Sequence, residues 1–338
     1  MTLTDLGFDS FFLSQLETDE LDRLAPLRLS AVQRKSVTGL GPDGATSLAL
    51  PGEISSGDLA VGDWVLAAEG CVERLLERKT LLRRGTTLRA SQTQIIAANV
   101  DTLFITTSCN DDFNPARLER YLAVAYEAGI APVLVLTKAD RAEDPDAYVA
   151  QAQTLGRDLP VVALNAKDPD GPAALAPWCG PGRTVAFVGT SGVGKTTIAN
   201  ALTGTDRATA DIREDDARGR HTTTARSLHA MIAGGWLIDT PGMRSFGVAE
   251  AAAGIDATFA EITELAARCR FRDCRHEGEP GCAVQAAIAA GEIDPDRLRR
   301  YDKLRREDAQ ATETIAQRHA RSRKLNKIYR AAKSRKSR

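Results

Sequence analysis

The sequence predicts a multidomain chain: a small antiparallel β-barrel, then a parallel α/β sheet, then a mainly helical region built around a cysteine and histidine cluster. Three observations lead there. Short alternating apolar runs broken by Gly41-Pro42, Pro51-Gly52 and Gly62-Asp63 fill residues 27–89. From Ile95 apolar strand-like runs alternate with helical stretches. After Gly247, half of the six cysteines fall within one short segment. A chain of 338 residues exceeds what one core usually fills, so several domains are expected. The boundaries read as 1–26 for a lead-in, 27–92 for the barrel, 93–247 for the α/β domain, 248–320 for the helical domain and 321–338 for a tail.

The lead-in, with scattered apolar residues including Leu6, Phe8 and Phe12, reads as a short helical or irregular segment without recognisable chemistry. In the barrel region, Arg28 to Val32 and Asp63 to Ala67 are strand-like, and regular turn signals between such runs fit either an OB-like or an SH3-like barrel. Next come strands near Val100–Thr107, Pro132–Leu136, Pro160–Leu164 and Thr184–Val188, with helices opening near Pro115 and Ala147. Repeated β-α units of this kind build a parallel sheet covered on both faces.

Directly after the fourth of these strands stands Gly189-Thr190-Ser191-Gly192-Val193-Gly194-Lys195-Thr196, with Thr197 opening a helix. This is G-x-x-x-x-G-K-[ST] between a strand and a helix: glycines turn backbone N–H groups toward phosphates, Lys195 reaches the terminal phosphates, and the Thr196 hydroxyl binds Mg²⁺. Asp239 ends a later apolar run, Trp236-Leu237-Ile238, and supplies a second acidic anchor for the metal, with Gly242 placed to sense the terminal phosphate. Between them, Gly219-Arg220-His221-Thr222-Thr223-Thr224 reads as a switch whose Thr223 completes the Mg²⁺ shell, or as an ordinary polar loop.

Base choice requires another element. Thr137-Lys138-Ala139-Asp140 follows a buried strand and matches N-K-x-D apart from its first residue. A carboxylate at Asp140 accepts from guanine N1–H and the 2-amino group together, whereas adenine offers neither donor there. Lys138 can lay its stem on the ring, while Thr137 puts the usual asparagine contact to the base in doubt. Asn165-Ala166-Lys167 stands where a backbone N–H would meet the base oxygen. Both base-reading segments precede the phosphate loop, so the order along the chain is permuted relative to ordinary GTPases.

Cys269, Cys274, His276 and Cys282 follow the pattern C-x4-C-x-H-x5-C, a closed set of three thiolates and one imidazole suited to structural Zn²⁺. Cys71, Cys109 and Cys179 read as plain buried or idle thiols. The final 18 residues carry nine Lys or Arg and no acid, which suits a polyanion or simply keeps the tail solvated. No apolar run approaches the roughly 20 residues of a membrane span, and the N-terminus lacks a secretory pattern, so a cytoplasmic protein without membrane contact is expected.

Taken together, GTSGVGKTT, GRHTTT, DTPGMRSF and the cysteine pattern, in that order behind a barrel, resemble the RsgA (YjeQ) family of ribosome small-subunit-dependent GTPases. The resemblance implies an OB-fold barrel, a circularly permuted GTPase domain, one zinc, Mg²⁺ with GTP, and a role late in small (30S) subunit maturation with rRNA contact and ribosome-stimulated turnover. It also points to His221 as catalytic, and Met243 stands where many GTPases carry a water-orienting glutamine. A monomer is the simplest expectation. Competing readings are a GTP-gated RNA-binding scaffold with negligible turnover, and a P-loop ATPase or small-molecule kinase, which Asp140 opposes.

Overall fold

The computed structural model describes residues 1–84, 94–205, 226–239 and 248–312. Its first unit is a closed barrel of β1 (Ala25–Val32), β2 (Ser36–Gly41), β3 (Gly44–Ala49), β4 (Trp64–Ala68) and β5 (Cys71–Leu75), joined in the order β1-β2-β3-β5-β4 with β4 returning to β1. That is the connectivity of an OB-fold, which resolves the choice left open by the turn pattern. The β4–β5 turn uses Glu69 (φ 49) and Gly70 (φ 74), two successive left-handed residues whose twist suits a tight hairpin. Leu29, Val37, Leu48, Val65 and Val72 fill the interior.

The lead-in forms α1 (Ser10–Leu13) and α2 (Thr18–Arg23) and is more than an entry segment. Phe8 and Phe12 pack on Trp64 at 4.8 and 5.8 Å between ring centroids, and Leu6 is fully buried. Arg28, also buried, donates to Leu6 O at 2.6 Å, Asn99 O at 3.2 Å and Thr184 Oγ1 at 2.7 Å. Burial pulls its guanidinium down to about 10 against the pull of Asp101 and Asp63, so it stays charged near neutral pH. One cation therefore ties the lead-in, the barrel and the central sheet together. An antiparallel pair, β6 (Leu81–Arg84) and β7 (Gln94–Ala98), leads onward.

The central unit contains β8 (Thr102–Ser108), α3 (Pro115–Glu127), β9 (Ala131–Thr137), α4 (Pro145–Gln153), β10 (Val161–Ala163), β11 (Thr184–Val188), α5 (Lys195–Thr203), β12 (Ser227–Ala230) and β13 (Trp236–Asp239). The sheet order is β10-β9-β8-β11-β13-β12, parallel except at β12. Residues alternate between its faces: Leu103, Ile105, Leu134 and Leu136 join one core with Leu118 and Leu122 of α3, while Phe104, Val133, Val135 and Phe187 join another with Ile198 of α5. Helix α3 starts with Pro115 behind an Asn114 side chain that caps Arg117 N. From β8 the chain winds outward through β9 and β10, and from β11 the other way through β13. The β8–β11 boundary is a topological switch point, the place where open α/β sheets bind their ligands.

The third unit is helical: α6 (Ala252–Thr258), α7 (Ala260–Ala266), α8 (Ala283–Ala289) and α9 (295–312). Helix α6 crosses α3 so closely that a Cβ on Gly254 would lie 2.0 Å from Ala123 O. Beside the crossing, Glu119 of α3 is wholly buried and accepts from Arg297 at 2.8 Å and from Arg300 at 2.8 and 2.9 Å. Arg297 also bonds Glu261 at 2.7 Å and Thr258 O at 2.7 Å, and its guanidinium stacks 4.2 Å above the Phe259 ring. Among the described residues, no helix is long and apolar enough to cross a membrane. Removing the central carboxylate leaves two guanidinium groups without their shared counter-charge, so Glu119→Ala should cost about 3 kcal/mol. Denaturant unfolding checks this as a lower midpoint.

Candidate active site and metal centre

Strand β11 runs directly into the phosphate loop, and its geometry admits little besides glycine. A Cβ on Gly189 (φ 148) would meet Thr106 O at 2.1 Å, and Gly192 and Gly194 take φ values of 78 and 95. Gly194 is the N-cap of α5, so Lys195, Thr196 and Thr197 form its first turn, where backbone N–H groups have no partner within the helix. The Lys195 ammonium donates to Gly189 O at 2.8 Å and Thr190 O at 2.5 Å, which holds its charge against the mouth of the loop. Ser191 and Val193 complete the turn, with Val193 buried.

The segments at 137–140 and 165–167, expected from the sequence to read the base, meet this loop. Thr137 closes β9, is 1% exposed, and its hydroxyl donates to Val193 O at 2.7 Å, with Thr107 O also 3.2 Å away. The hydroxyl is thus engaged with the phosphate loop and does not face a base. Lys138 adopts the left-handed conformation (φ 56) and turns the chain into the short helix Ala139–Arg141 that carries Asp140. Ala139 N donates to Leu164 O at 3.4 Å, and Leu164 leads into Asn165, whose side chain accepts from Lys167 N at 3.0 Å. A Cβ placed on Gly194 would lie 3.5 Å from the Ala166 methyl and 3.8 Å from the Thr137 methyl. Segments at 137–140, 165–167 and 189–196 therefore touch at the C-terminal edge of the sheet.

Asp239 is the last residue of β13, one step past the Ala186↔Ile238 pair and so next to the strand that enters the loop. His221, Thr223, Gly242 and Met243 lie outside the described residues, as does the basic tail.

The cysteine cluster assembles as the spacing predicts. Ligand atoms of Cys269, Cys274, His276 and Cys282 all lie within 4.8 Å of one another, with Cys269 Sγ 3.7 Å from His276 Nδ1 and 3.9 Å from Cys282 Sγ, and His276 Nδ1 3.4 Å from Cys282 Sγ. A tetrahedral Zn²⁺ with usual bond lengths places its ligands roughly 3.5–3.8 Å apart, so this donor set fits one structural zinc. His276 is in the left-handed region (φ 62), and its carbonyl accepts from the Gln285 side chain. Cys282 caps α8, its sulfur accepting from Gln285 N at 3.4 Å. Burial, reinforced by the neighbouring thiols, pushes the Cys274 thiol up to about 12, and a divalent cation's charge acts in the opposite direction. Glu279 gathers Arg275 N at 2.7 Å and Glu277 N at 2.9 Å, which hold its carboxylate down at about 2. It braces the ligand loop, and sequence reading missed it because one glutamate among many charged residues carries no pattern.

The RsgA GTPase family model matches residues 75–249, just over half of the chain. The chain belongs to the RsgA GTPase family. It is 55% identical over 317 residues to "Small ribosomal subunit biogenesis GTPase RsgA" of Mesorhizobium japonicum, covering 92% of this chain and 91% of that one. It is 47% identical over 335 residues to RsgA 2 of Vibrio vulnificus, covering 98% and 95%. Among solved structures, YjeQ from Thermotoga maritima superposes with a TM-score of 0.62 at 24% identity, over 83% of this chain and 97% of that one. YloQ, titled a circularly permuted GTPase, gives 0.62 at 23% identity. These two likenesses show the shared fold. As an RsgA family member the chain is a GTP hydrolase, a chemistry that requires Mg²⁺ with the nucleotide.

Elemental analysis should find one zinc per chain. Cys282→Ser should lose that metal and, by loosening α8 together with the ligand loop, lower the unfolding midpoint by several degrees.

Proposed function

We propose that this RsgA-family GTPase serves the small (30S) ribosomal subunit, binding it with GTP and hydrolysing the nucleotide as a checkpoint late in the particle's maturation, with turnover stimulated by the particle. The names of the Mesorhizobium and Vibrio relatives, each matched over nine-tenths or more of this chain, support the role. The observation that carries the site assignment is the 2.7 Å bond from Thr137 to Val193 O, which joins the base-reading segment to the phosphate loop.

In this reading Gly189 to Thr197 cradle the phosphates and Lys195 faces the terminal ones. Asp140 accepts from the guanine edge, the Lys138 stem covers the ring, and the Asn165-Ala166-Lys167 backbone meets the base oxygen. Thr196, Thr223 and Asp239 hold Mg²⁺, and the Gly242 N–H senses the terminal phosphate. His221 is the proposed catalytic group, brought toward the terminal phosphate when the particle docks. Support comes from Met243, whose thioether cannot orient a water. Arg268, Arg270, Arg272 and Arg275 around the zinc loop, with the tail at 321–338, supply positive charge for rRNA through counterion release. The working boundaries are 1–26, 27–92, 93–247, 248–320 and 321–338.

Cosedimentation with separated subunits should show retention by the small subunit alone, stronger with a non-hydrolysable GTP analogue than with GDP; retention by large subunits would contradict the proposal. Asp140→Ala should weaken GTP by about 100-fold while leaving ATP unaffected, because a paired charge facing two donors is removed. Titration of both nucleotides decides it. His221→Ala should leave GTP affinity unchanged and cut particle-stimulated turnover by about 100-fold or more. An unchanged rate excludes the histidine.

A further inference from the structure

Asp112, in the loop between β8 and α3, touches the phosphate loop without belonging to any nucleotide-binding segment. Thr190 Oγ1 donates to its Oδ2 at 2.8 Å, Thr107 Oγ1 lies 3.2 Å from the same oxygen, and an Arg117 guanidinium nitrogen lies 2.9 Å from Oδ1. Arg117 also donates to the Asp112 carbonyl. The loop is shaped to present this carboxylate, since the Asn110 side chain accepts from Asp112 N at 3.0 Å and from Ser108 Oγ at 2.8 Å.

A carboxylate beside a site for polyphosphate repels the ligand, and that cost is sensible only if its placement gains something. Thr190 supplies the gain. Its side chain is held by Asp112 while its own carbonyl accepts from Lys195 Nζ at 2.5 Å, so a tether on the side chain limits rotation of the residue whose carbonyl aims the ammonium. Arg117 neutralises the carboxylate locally and lies in the first turn of α3, the helix whose Glu119 is bound by Arg297 and Arg300 of the helical unit.

We propose that Asp112 is a positioning residue for binding of the GTP phosphates: through Thr190 it fixes the carbonyl that orients Lys195, and through Arg117 it joins the phosphate loop to the helix on which the C-terminal unit is packed. The proposal rests on the phosphate-loop assignment above, and the test separates the two.

Affinity for GTP, GDP and GMP is measured by competition against a fluorescent guanine nucleotide for the full-length wild type and for Thr190→Val, Thr190→Ser, Asp112→Ala, the Thr190→Val/Asp112→Ala double variant and Lys195→Ala. Thr190→Val and Asp112→Ala should each weaken GTP and GDP by about tenfold, the loss of one charge-assisted hydrogen bond. The double variant should be no weaker than the weaker single, because both changes break the same contact. Thr190→Ser restores the hydroxyl and should bind like wild type. GMP lacks the phosphates that Lys195 reaches, so its affinity should stay constant across these variants, which general loosening of the fold would not allow. Wild-type GTP affinity in Thr190→Val, tighter GTP binding in Asp112→Ala, or additive losses in the double variant would each overturn the positioning role. Full GTP affinity in Lys195→Ala would overturn the site assignment beneath it.

Discussion

The parallel pairing of β8 with β11 is the constraint on which the site depends. Phe104 lies beside Phe187 and Ile105 beside Val188 in register, so the ends of the two strands emerge together although a long stretch of chain separates them. Backbone hydrogen bonds fix that register, and the alternation of buried side chains resists a one-residue slip, which would turn each strand inside out. Whatever follows β8, β9, β10 and β11 must then gather along one edge. Chain order along the sequence is irrelevant to that edge, and for this reason segments 137–140 and 165–167 can precede the Gly189–Thr196 loop and still meet it.

Buried charges fasten the outer units to this sheet. Arg28 reaches the lead-in, the approach to β8 and the start of β11 at once, while Glu119 binds two arginines of the helical unit. Such contacts are costly to desolvate and are worth keeping chiefly when every partner is present. They therefore specify one arrangement of the units more than they add to stability. The tight crossing at Gly254, where no side chain fits, has the same effect on α6 against α3. Helix α3 is thus packed directly against the helical unit that carries the cysteine and histidine cluster.

Sequence made the architecture and most of the site legible because each rested on periodicity or spacing. Strand β11 before Gly189, the helix after Lys195 and the closing of Cys269, Cys274, His276 and Cys282 into one cluster all follow from local patterns. Thr137 was legible only as a departure: its missing asparagine amide was visible, but its bond to Val193 O depends on β9 and β11 flanking β8 on either side, with their ends level at one edge of the sheet. The lead-in was legible as a short, partly helical segment but its packing was not, since Leu6, Phe8 and Phe12 acquire meaning only in the core they share with Trp64 and Trp236. Glu119 and Arg28 are single charged residues whose partners are remote in sequence, and Asp112 meets the phosphate loop only through Thr190, 78 residues away, so no local pattern distinguishes the three from solvated charges.

A crystal structure with a non-hydrolysable GTP analogue and Mg²⁺ tests most directly whether distant segments form one nucleotide pocket at the switch point. The expected result is the guanine edge within hydrogen-bonding distance of Asp140 and the terminal phosphates against Lys195 and the first turn of α5. A base bound away from Asp140, or phosphates held elsewhere than the Gly189–Thr196 loop, would contradict it.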